Sequence, residues 1–295
     1  MLFLGTYLNI FLIIFEKSFL EFNPLRKYLS LVHLINIDFK YTGSQRNSNF
    51  ALSNFNYVIN AGEFISILGP NGSGKSTLIK LITGYLEPHK GRITLKGKNL
   101  NEFDRKDIAK IIAYVPQIPN SIYPFSIYEI VAMGRFPYLD FTGFEKESDK
   151  KIIKNVLDLM ELSHLINKGI NEVSGGEAQR AFIGRALVQE PKILLLDEPN
   201  SHLDIKHQIS IFNLLRKLNR ENDLTIVTVM HDLNLSSVYS SRVTLLKNGK
   251  IFLDGDVNHT LTPDVIKEVF EVNVKILANE NNPRSIFINP DSNLE

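Results

Sequence analysis

The run Gly69-Pro70-Asn71-Gly72-Ser73-Gly74-Lys75-Ser76-Thr77 has the residue types that hold a polyphosphate, in the spacing G-x-x-x-x-G-K-[ST]. Glycines at these positions let the backbone curl until successive N–H groups point inward at phosphate oxygens. A helix starting at Lys75 adds the positive end of its dipole. Lys75 is placed to reach the β- and γ-phosphates, and the Ser76 hydroxyl to ligate Mg²⁺. A second element is Ile193-Leu194-Leu195-Leu196-Asp197-Glu198, four apolar residues ending in two carboxylates. A buried strand delivers such side chains at its C-terminal end, where open α/β sheets bind ligands. There Asp197 would hold Mg²⁺, directly or through water, and Glu198 would polarise an attacking water. A third element is Val173-Ser174-Gly175-Gly176-Glu177-Ala178-Gln179-Arg180, just before a helical pattern. Ser174, Gly175 and Gly176 expose backbone N–H groups at that helix start, a second anion site. Two chains packed head to tail could then each close the other's nucleotide.

These residues need strands and helices in alternation to place them. Leu31–Phe39, Tyr57–Ile59, Ile93–Leu95 and Ile112–Val115 read as strands, and Phe64–Leu68 (FISIL) as a strand buried on both faces. The pattern predicts helices over Lys75–Thr83, Ala178–Val188 and Lys206–Leu218, with strands over Ile193–Leu196 and Leu224–Val229 between and after them. Residues 118–172 look mainly helical, with an apolar stripe at Val156, Leu157, Leu159, Met160 and Leu162. Val243–Leu246 and Ile251–Leu253 flank Asn248-Gly249 and read as a hairpin with a tight turn. Such alternation argues for an α/β fold with a largely parallel sheet covered by helices on both faces.

Composition narrows the classes further. The chain has 295 residues, 44% hydrophobic and 22% charged, which is ordinary for a globular protein and excludes disorder, collagen and a polytopic membrane protein. Thirty-three basic residues against 32 acidic ones leave a net charge of +1, which gives no general footprint for nucleic acid. With no cysteine there are no disulfides and no thiolate metal sites. Residues 1–15, MLFLGTYLNIFLIIF, are almost wholly apolar but short of the ~20 residues a spanning helix needs. No basic residue precedes them and no small-residue cleavage site follows, so they make a poor signal peptide. A membrane-surface or partner-docking helix, or a start codon chosen too early, would each account for them.

On these motifs the sequence resembles an ABC-transporter ATP-binding subunit from about Leu31 to its C-terminus. The resemblance implies a P-loop NTPase of the ABC ATPase type, with a RecA-like core, a small antiparallel β subdomain and a helical signature subdomain at about 118–175. Residues 1–30 stand outside it as an N-terminal extension, and 31–295 form the ATP-binding domain. The LSGGQ-type signature corresponds to VSGGE, whose Ser174, Gly175, Gly176 and Glu177 would act on the partner subunit's ATP. Tyr41 matches the aromatic that stacks on adenine. Gln117, in Tyr114-Val115-Pro116-Gln117, matches the glutamine that senses Mg²⁺ and the attacking water. Ser201-His202-Leu203-Asp204 matches the D-loop at the dimer interface, with His202 read as interface. His231, in Val229-Met230-His231-Asp232, matches the switch histidine that contacts the γ-phosphate. The implied catalytic set is Glu198, His231, Gln117 and Lys75; the implied Mg²⁺ ligands are Ser76, Gln117 and Asp197. Tyr41 and His231 draw their weight from these slots alone. His33, His89, His164, His207 and His259 show no metal-ligand pattern.

The resemblance also bears on what the ATP drives. SMC- and Rad50-like ATPases need a very long coiled coil between the Lys75 and Asp197 motifs, for which there is no room. ABC-F factors carry two cassettes per chain, and exporters usually fuse a membrane domain. An importer subunit remains, working as a homodimer on two permease subunits, with a substrate-binding protein involved indirectly, at the cytoplasmic face of the inner membrane. Ile127-Tyr128-Glu129-Ile130-Val131-Ala132-Met133-Gly134-Arg135-Phe136-Pro137-Tyr138 is similar to the V-x-M-G-R-x-P stretch of the ferric siderophore, haem and vitamin B12 importer family. The tail Leu261-Thr262-Pro263-Asp264-Val265-Ile266 is similar to that family's C-terminal pattern. As plain chemistry, Met133-Gly134-Arg135 reads as a helix end, with glycine as C-cap and arginine on the dipole. A zinc or manganese importer cassette, or an ATP-switched regulatory protein without a permease, are the competing readings.

Overall fold

Three short, fully buried runs, FISIL, ILLLD and TIVTV, form the centre of the molecule. In the computed structural model, which describes residues 30–41, 51–117, 124–140, 143–201, 203–279 and 282–289, strands β3 (Phe64–Leu68), β7 (Ile193–Asp197) and β8 (Thr225–Val229) are buried along their whole length. They join β6 (Ile112–Val115), β9 (Arg242–Lys247) and β10 (Lys250–Gly255) in one sheet ordered β10-β9-β3-β8-β7-β6. All neighbours are parallel except the β9–β10 hairpin. Alternation along each strand divides the core in two. Phe64, Leu68, Leu194, Leu196 and Ile226 face one apolar layer, and Ile65, Ile67, Ile193, Leu195, Val227 and Val229 face the other. At about 1.5–3 kcal/mol per fully buried aliphatic side chain, these two layers are what fixes the strands in register.

The second layer is closed by an antiparallel sheet, β2-β1-β4-β5, built from β1 (Ser30–Phe39), β2 (Leu52–Asn60), β4 (Lys90–Leu95) and β5 (Lys98–Asn99). In β1 the buried positions are Val32 and Leu34, then Ile37 and Phe39, a one-residue slip. The slip is absorbed between Leu34 and Ile37, where Asn36 adopts φ 52°. Arg242 ties this sheet to the central one: it pairs with Asp254 at 2.6 Å and Glu63 at 3.1 Å, and lies 5.1 Å from the Tyr57 ring.

Helices cover the first layer. Among the described residues the helices are α1 (Lys75–Ile82) and α2 (Arg105–Ala109), both on the opposite face, and α3 (Ile127–Ala132), α4 (Glu147–Leu159), α5 (Gly175–Leu187), α6 (Ile205–Asn222), α7 (Leu233–Tyr239), α8 (Val257–Thr260) and α9 (Pro263–Phe270). None of them is long and apolar enough to cross a membrane. The apolar N-terminal stretch lies outside the described residues.

The Met133-Gly134-Arg135 reading needs correction. Helix α3 ends at Ala132, and a 3₁₀ turn carries on through Tyr138. Gly134 is not a left-handed cap; a Cβ there would collide with the Arg185 carbonyl of α5. Arg135 is buried rather than lying on a helix dipole. It pairs with Asp149 at 2.8 Å and Glu190 at 2.9 Å, donates to the Val188 carbonyl at 2.6 Å and stacks 3.9 Å from the Tyr138 ring centre. A buried pair of this kind costs about 3–5 kcal/mol when one partner is removed, so Arg135 locks α3, α4 and the end of α5 together. A further element beyond the sequence-based expectation is the hairpin β11 (Val274–Asn279) and β12 (Asn282–Ile288). It is fastened to α7 by Asn234, which accepts from the Ile286 N–H at 2.7 Å.

Candidate functional site

The Gly69–Ser76 loop follows β3 and opens α1, at the C-terminal edge of the parallel strands. Its glycines are required by the backbone. Gly72 and Gly74 have φ of 78° and 104°, and a Cβ on Gly74 would come within 2.7 Å of the Ala51 carbonyl oxygen and 2.8 Å of Leu52. No side chain caps α1, and its first turn carries no acidic residue. Lys75 folds back over the loop, donating to the Gly69 and Pro70 carbonyls at 2.8 and 3.0 Å. Burial lowers its pKa, opposed by the nearby carboxylates of Glu198 and Asp197.

A cleft of about 530 Å³ lies over this loop, lined by Tyr41, Asn71, Gly72, Gly74, Lys75, Ser76, Thr77 and Glu198. Tyr41 is half exposed, edge-on to Phe39 at 5.0 Å, with its hydroxyl 3.3 Å from Thr77 Oγ1. Ala51, Asn248 and Gly249 also line the cleft and were not expected from the sequence. The Asn248-Gly249 turn, with φ of 52° and 72°, was legible only as a hairpin. Its second role shows in two bonds: the Gly249 N–H donates to the Ser73 carbonyl at 3.2 Å, and the Ser53 N–H to the Gly249 carbonyl at 3.1 Å. The hairpin tip therefore braces the phosphate loop from below.

Asp197 and Glu198 leave β7 in different directions. Asp197 is buried against the Ser76 hydroxyl and lies 3.4 Å from the Tyr114 hydroxyl. Burial raises its pKa and the Ser76 bond pulls it back. Two adjacent oxygen donors of this type fit a hard, oxygen-seeking cation such as Mg²⁺. Glu198 has φ 50°, unfavourable for a residue with a Cβ, and its N–H is held by the Val229 carbonyl at 3.0 Å. That turn swings the carboxylate away from the strand into a clamp. Gln117 Nε2 donates to Glu198 Oε2 at 3.0 Å, and His231 Nε2 lies 2.9 Å from Oε1. The three residues come from the ends of β6, β7 and β8, three parallel strands in register.

Ser174, Gly175, Gly176 and Glu177 do not line this cleft. Ser174 caps α5 in a reciprocal box: its hydroxyl accepts from the Glu177 N–H at 3.3 Å, and the Glu177 carboxylate accepts from the Ser174 N–H at 2.7 Å. Ser201 and Asp204 lie in the turn between β7 and α6, where Ser201 Oγ donates to the Glu198 carbonyl at 2.7 Å. His202 lies outside the described residues. The chain thus brings a phosphate loop, two carboxylates, a glutamine and a histidine to one cleft, and keeps a second glycine-rich helix start apart from it.

A phosphate loop at the edge of a parallel sheet, with a clamped carboxylate opposite, defines a P-loop nucleotide hydrolase. Residues 52–201 match the family model described as ABC transporter. The chain is 35% identical over 240 residues to the iron(3+)-hydroxamate import ATP-binding protein FhuC of Bacillus subtilis, covering 81% of this chain and 89% of that protein. It is 37% identical to the uncharacterised ABC transporter ATP-binding protein YvrA of the same organism, covering 80% of this chain but only 54% of that longer protein. Among solved structures, a proposed metal-chelate type ABC transporter in an inward-facing conformation superposes with a TM-score of 0.76 at 27% identity, covering 88% and 97% of the two chains. The cassette MJ0796, a dimer in a post-hydrolysis state with ADP and Pi, superposes with 0.67 at 32% identity, covering 77% and 99%. The chain belongs to the ABC transporter family, and its fold is that of the family's ATPase cassettes.

Proposed function

We propose that this chain is the ATP-hydrolysing subunit of an importer that takes up an iron chelate, either a ferric siderophore or haem, or cobalamin, through separate permease subunits. The observation that carries the catalytic half is the Glu198 carboxylate, held between Gln117 and His231 at the mouth of the phosphate-loop cleft. Hydrolysis of a γ-phosphate is mostly positioning and charge stabilisation. Tyr41 stacks on adenine. The loop N–H groups from Gly69 to Thr77 cradle the phosphates, and Lys75 leaves its resting carbonyl partners for the β- and γ-phosphates. Ser76, Asp197 and Gln117 hold Mg²⁺, which when bound neutralises phosphate charge. Glu198 accepts a proton from a water as that water's oxygen bonds to the γ-phosphorus. The bond from phosphorus to the bridging oxygen breaks, leaving ADP and phosphate. His231 orients Glu198 and contacts the transferred group.

In a head-to-tail homodimer, Ser174, Gly175, Gly176 and Glu177 would reach the partner's γ-phosphate, with Ser201 and Asp204 at the interface between chains. Loss of that phosphate would open the dimer, because ATP binds the closed state better than the open one. The helical subdomain at about 118–175 would meet two permeases at the cytoplasmic face of the inner membrane, with the substrate-binding protein acting on the far side and no nucleic acid involved. The cargo class rests on the likeness to the FhuC protein and on the Met133–Tyr138 stretch. Cellular uptake of labelled ferric siderophore, haem and cobalamin, compared between wild type and Lys75→Ala, tests it. Loss of one uptake names the cargo; three unchanged uptakes would overturn the proposal.

A further inference from the structure

Helix α6 begins directly after the D-loop, and its first turn is fastened on two sides. Asp204 caps it: one carboxylate oxygen accepts from the His207 N–H at 2.8 Å, and the other lies 2.8 Å from His207 Nδ1. The next residue, Gln208, donates Nε2 to the Leu203 carbonyl at 2.8 Å and the Asn200 carbonyl at 3.3 Å. Ser201 anchors the other end of the loop on the Glu198 carbonyl. Held by Asp204, the imidazole lies against Gly176. A Cβ at Gly176 would stand 2.7 Å from His207 Cδ2, 2.9 Å from Cγ and 3.3 Å from Nε2. Carbon atoms pack at about 3.5–4.0 Å, so the ring already fills the space a side chain at 176 would need. Further along, Arg180 Nη2 donates to Ser210 Oγ at 3.1 Å, tying α5 to α6 again.

We infer that His207 is a positioning residue that locks the D-loop to the first turn of the signature helix, so that Asp204 and Ser174–Gly176 meet the partner's nucleotide as one rigid unit. The inference rests on the proposed role of Ser174–Gly176 toward the partner's γ-phosphate. It adds a physical route between two ATP sites. The base of one site, Glu198, holds Ser201; Leu203 and Asp204 are pinned by Gln208 and His207; and His207 abuts Gly176, one of the residues proposed to close the other site. Each link is a hydrogen bond or a van der Waals contact, and none needs a partner chain to form. The second glycine of the VSGGE run is explained by the same contact, since only glycine leaves room for the ring.

The test uses the full chain carrying Glu198→Gln, which on the proposed mechanism should retain ATP in closed dimers, and reads the dimer fraction against ATP concentration by sedimentation velocity. His207→Ala should raise the ATP concentration for half-assembly about tenfold, the scale set by small misplacements of phosphate-contacting groups. Binding of a fluorescent ATP analogue by the monomer, and the melting temperature, should stay unchanged. In the chain with native Glu198, kcat should fall about tenfold with KM moving less. His207→Asn, which keeps a donor near the Nδ1 position, should recover most of the loss. Gly176→Ala should impair assembly alone, and the double variant Gly176→Ala/His207→Ala should be no worse than His207→Ala, because the ring that blocked the methyl is gone. Wild-type assembly in His207→Ala, or losses that multiply in the double variant, would overturn the inference. Intact assembly in the Gly176→Ala single variant would overturn it as well, since the ring would then tolerate a methyl at 176, whereas intact assembly in Ser174→Ala would instead remove the proposed signature role on which it stands.

Discussion

The molecule has two glycine-rich helix starts, and they are prepared in opposite ways. Helix α1 begins with bare N–H groups: no side-chain cap, no acidic residue in the first turn, and a lysine beside the cleft. Helix α5 begins with the Ser174 and Glu177 N–H groups occupied by their reciprocal cap, and with a carboxylate in the first turn. Hydrogen bonds from Ser174 hold that carboxyl below its ordinary pKa, so it stays charged. The first start is a finished anion site. The second opposes a free anion through Glu177 and has little to gain from one. In the proposed dimer it would become useful when phosphate is presented to it already bound, at the high effective concentration of a second chain. The difference explains why one chain could bind nucleotide alone and yet need a partner to hydrolyse it.

The comparison can be broken most severely by giving α1 what α5 carries. Gly74→Asp places a carboxylate at the α1 N-terminus and a Cβ against Ala51 and Leu52 at φ 104°. Nucleotide binding, measured by titration calorimetry, should weaken more than about 100-fold, the sum of strain and charge opposition. Ser174→Ala strikes the other start. The monomer should bind nucleotide as before, while ATPase turnover falls about 100-fold, as expected when one transition-state donor is lost; equal loss of binding and turnover would mean the two starts serve one site.

Two smaller effects sharpen the account. Asp197→Asn should stabilise the nucleotide-free protein by about 1 kcal/mol, or about 2–3 °C in Tm, because it removes a buried charge next to Glu198. The sign follows from the raised pKa: the folded state binds the proton more tightly, so wild-type stability falls as pH rises from the ordinary carboxylate range through the raised value. The gain should therefore be present at pH 7 and vanish in acid, where wild-type Asp197 is already protonated. The same variant should lose any Mg²⁺-dependent rise in Tm with ATP. Glu177→Gln keeps a capping oxygen and removes the charge, so the ATP needed for half-maximal turnover should fall roughly threefold. An unchanged value would mean that Glu177 never faces phosphate.

Legibility in the sequence followed the kind of signal each part leaves. Strands β3 and β6 were legible to the residue, because each is a short, mostly apolar run too brief for a helix and rich in residues that favour strands. The cleft residues were legible where backbone chemistry dictates them, as with Gly72, Gly74 and Lys75. Contacts between distant elements were not. Arg135 looked like a helix-end charge until its partners Asp149 and Glu190 were in view. His207 carried no pattern that pointed to α5, since what it meets there is the absent side chain of Gly176. Asn248-Gly249 announced a turn but not the phosphate loop it supports. The β11–β12 hairpin is fastened to α7 by Asn234 and Ser237, polar residues with no periodicity to reveal the contact.

The central claim is that each chain holds half of two ATP sites. Sedimentation velocity of Glu198→Gln with and without ATP and Mg²⁺ tests it most directly. The account predicts monomers without nucleotide and dimers with ATP, and a return to monomers with ADP. A chain that binds ATP with native affinity and remains monomeric at every concentration would contradict it.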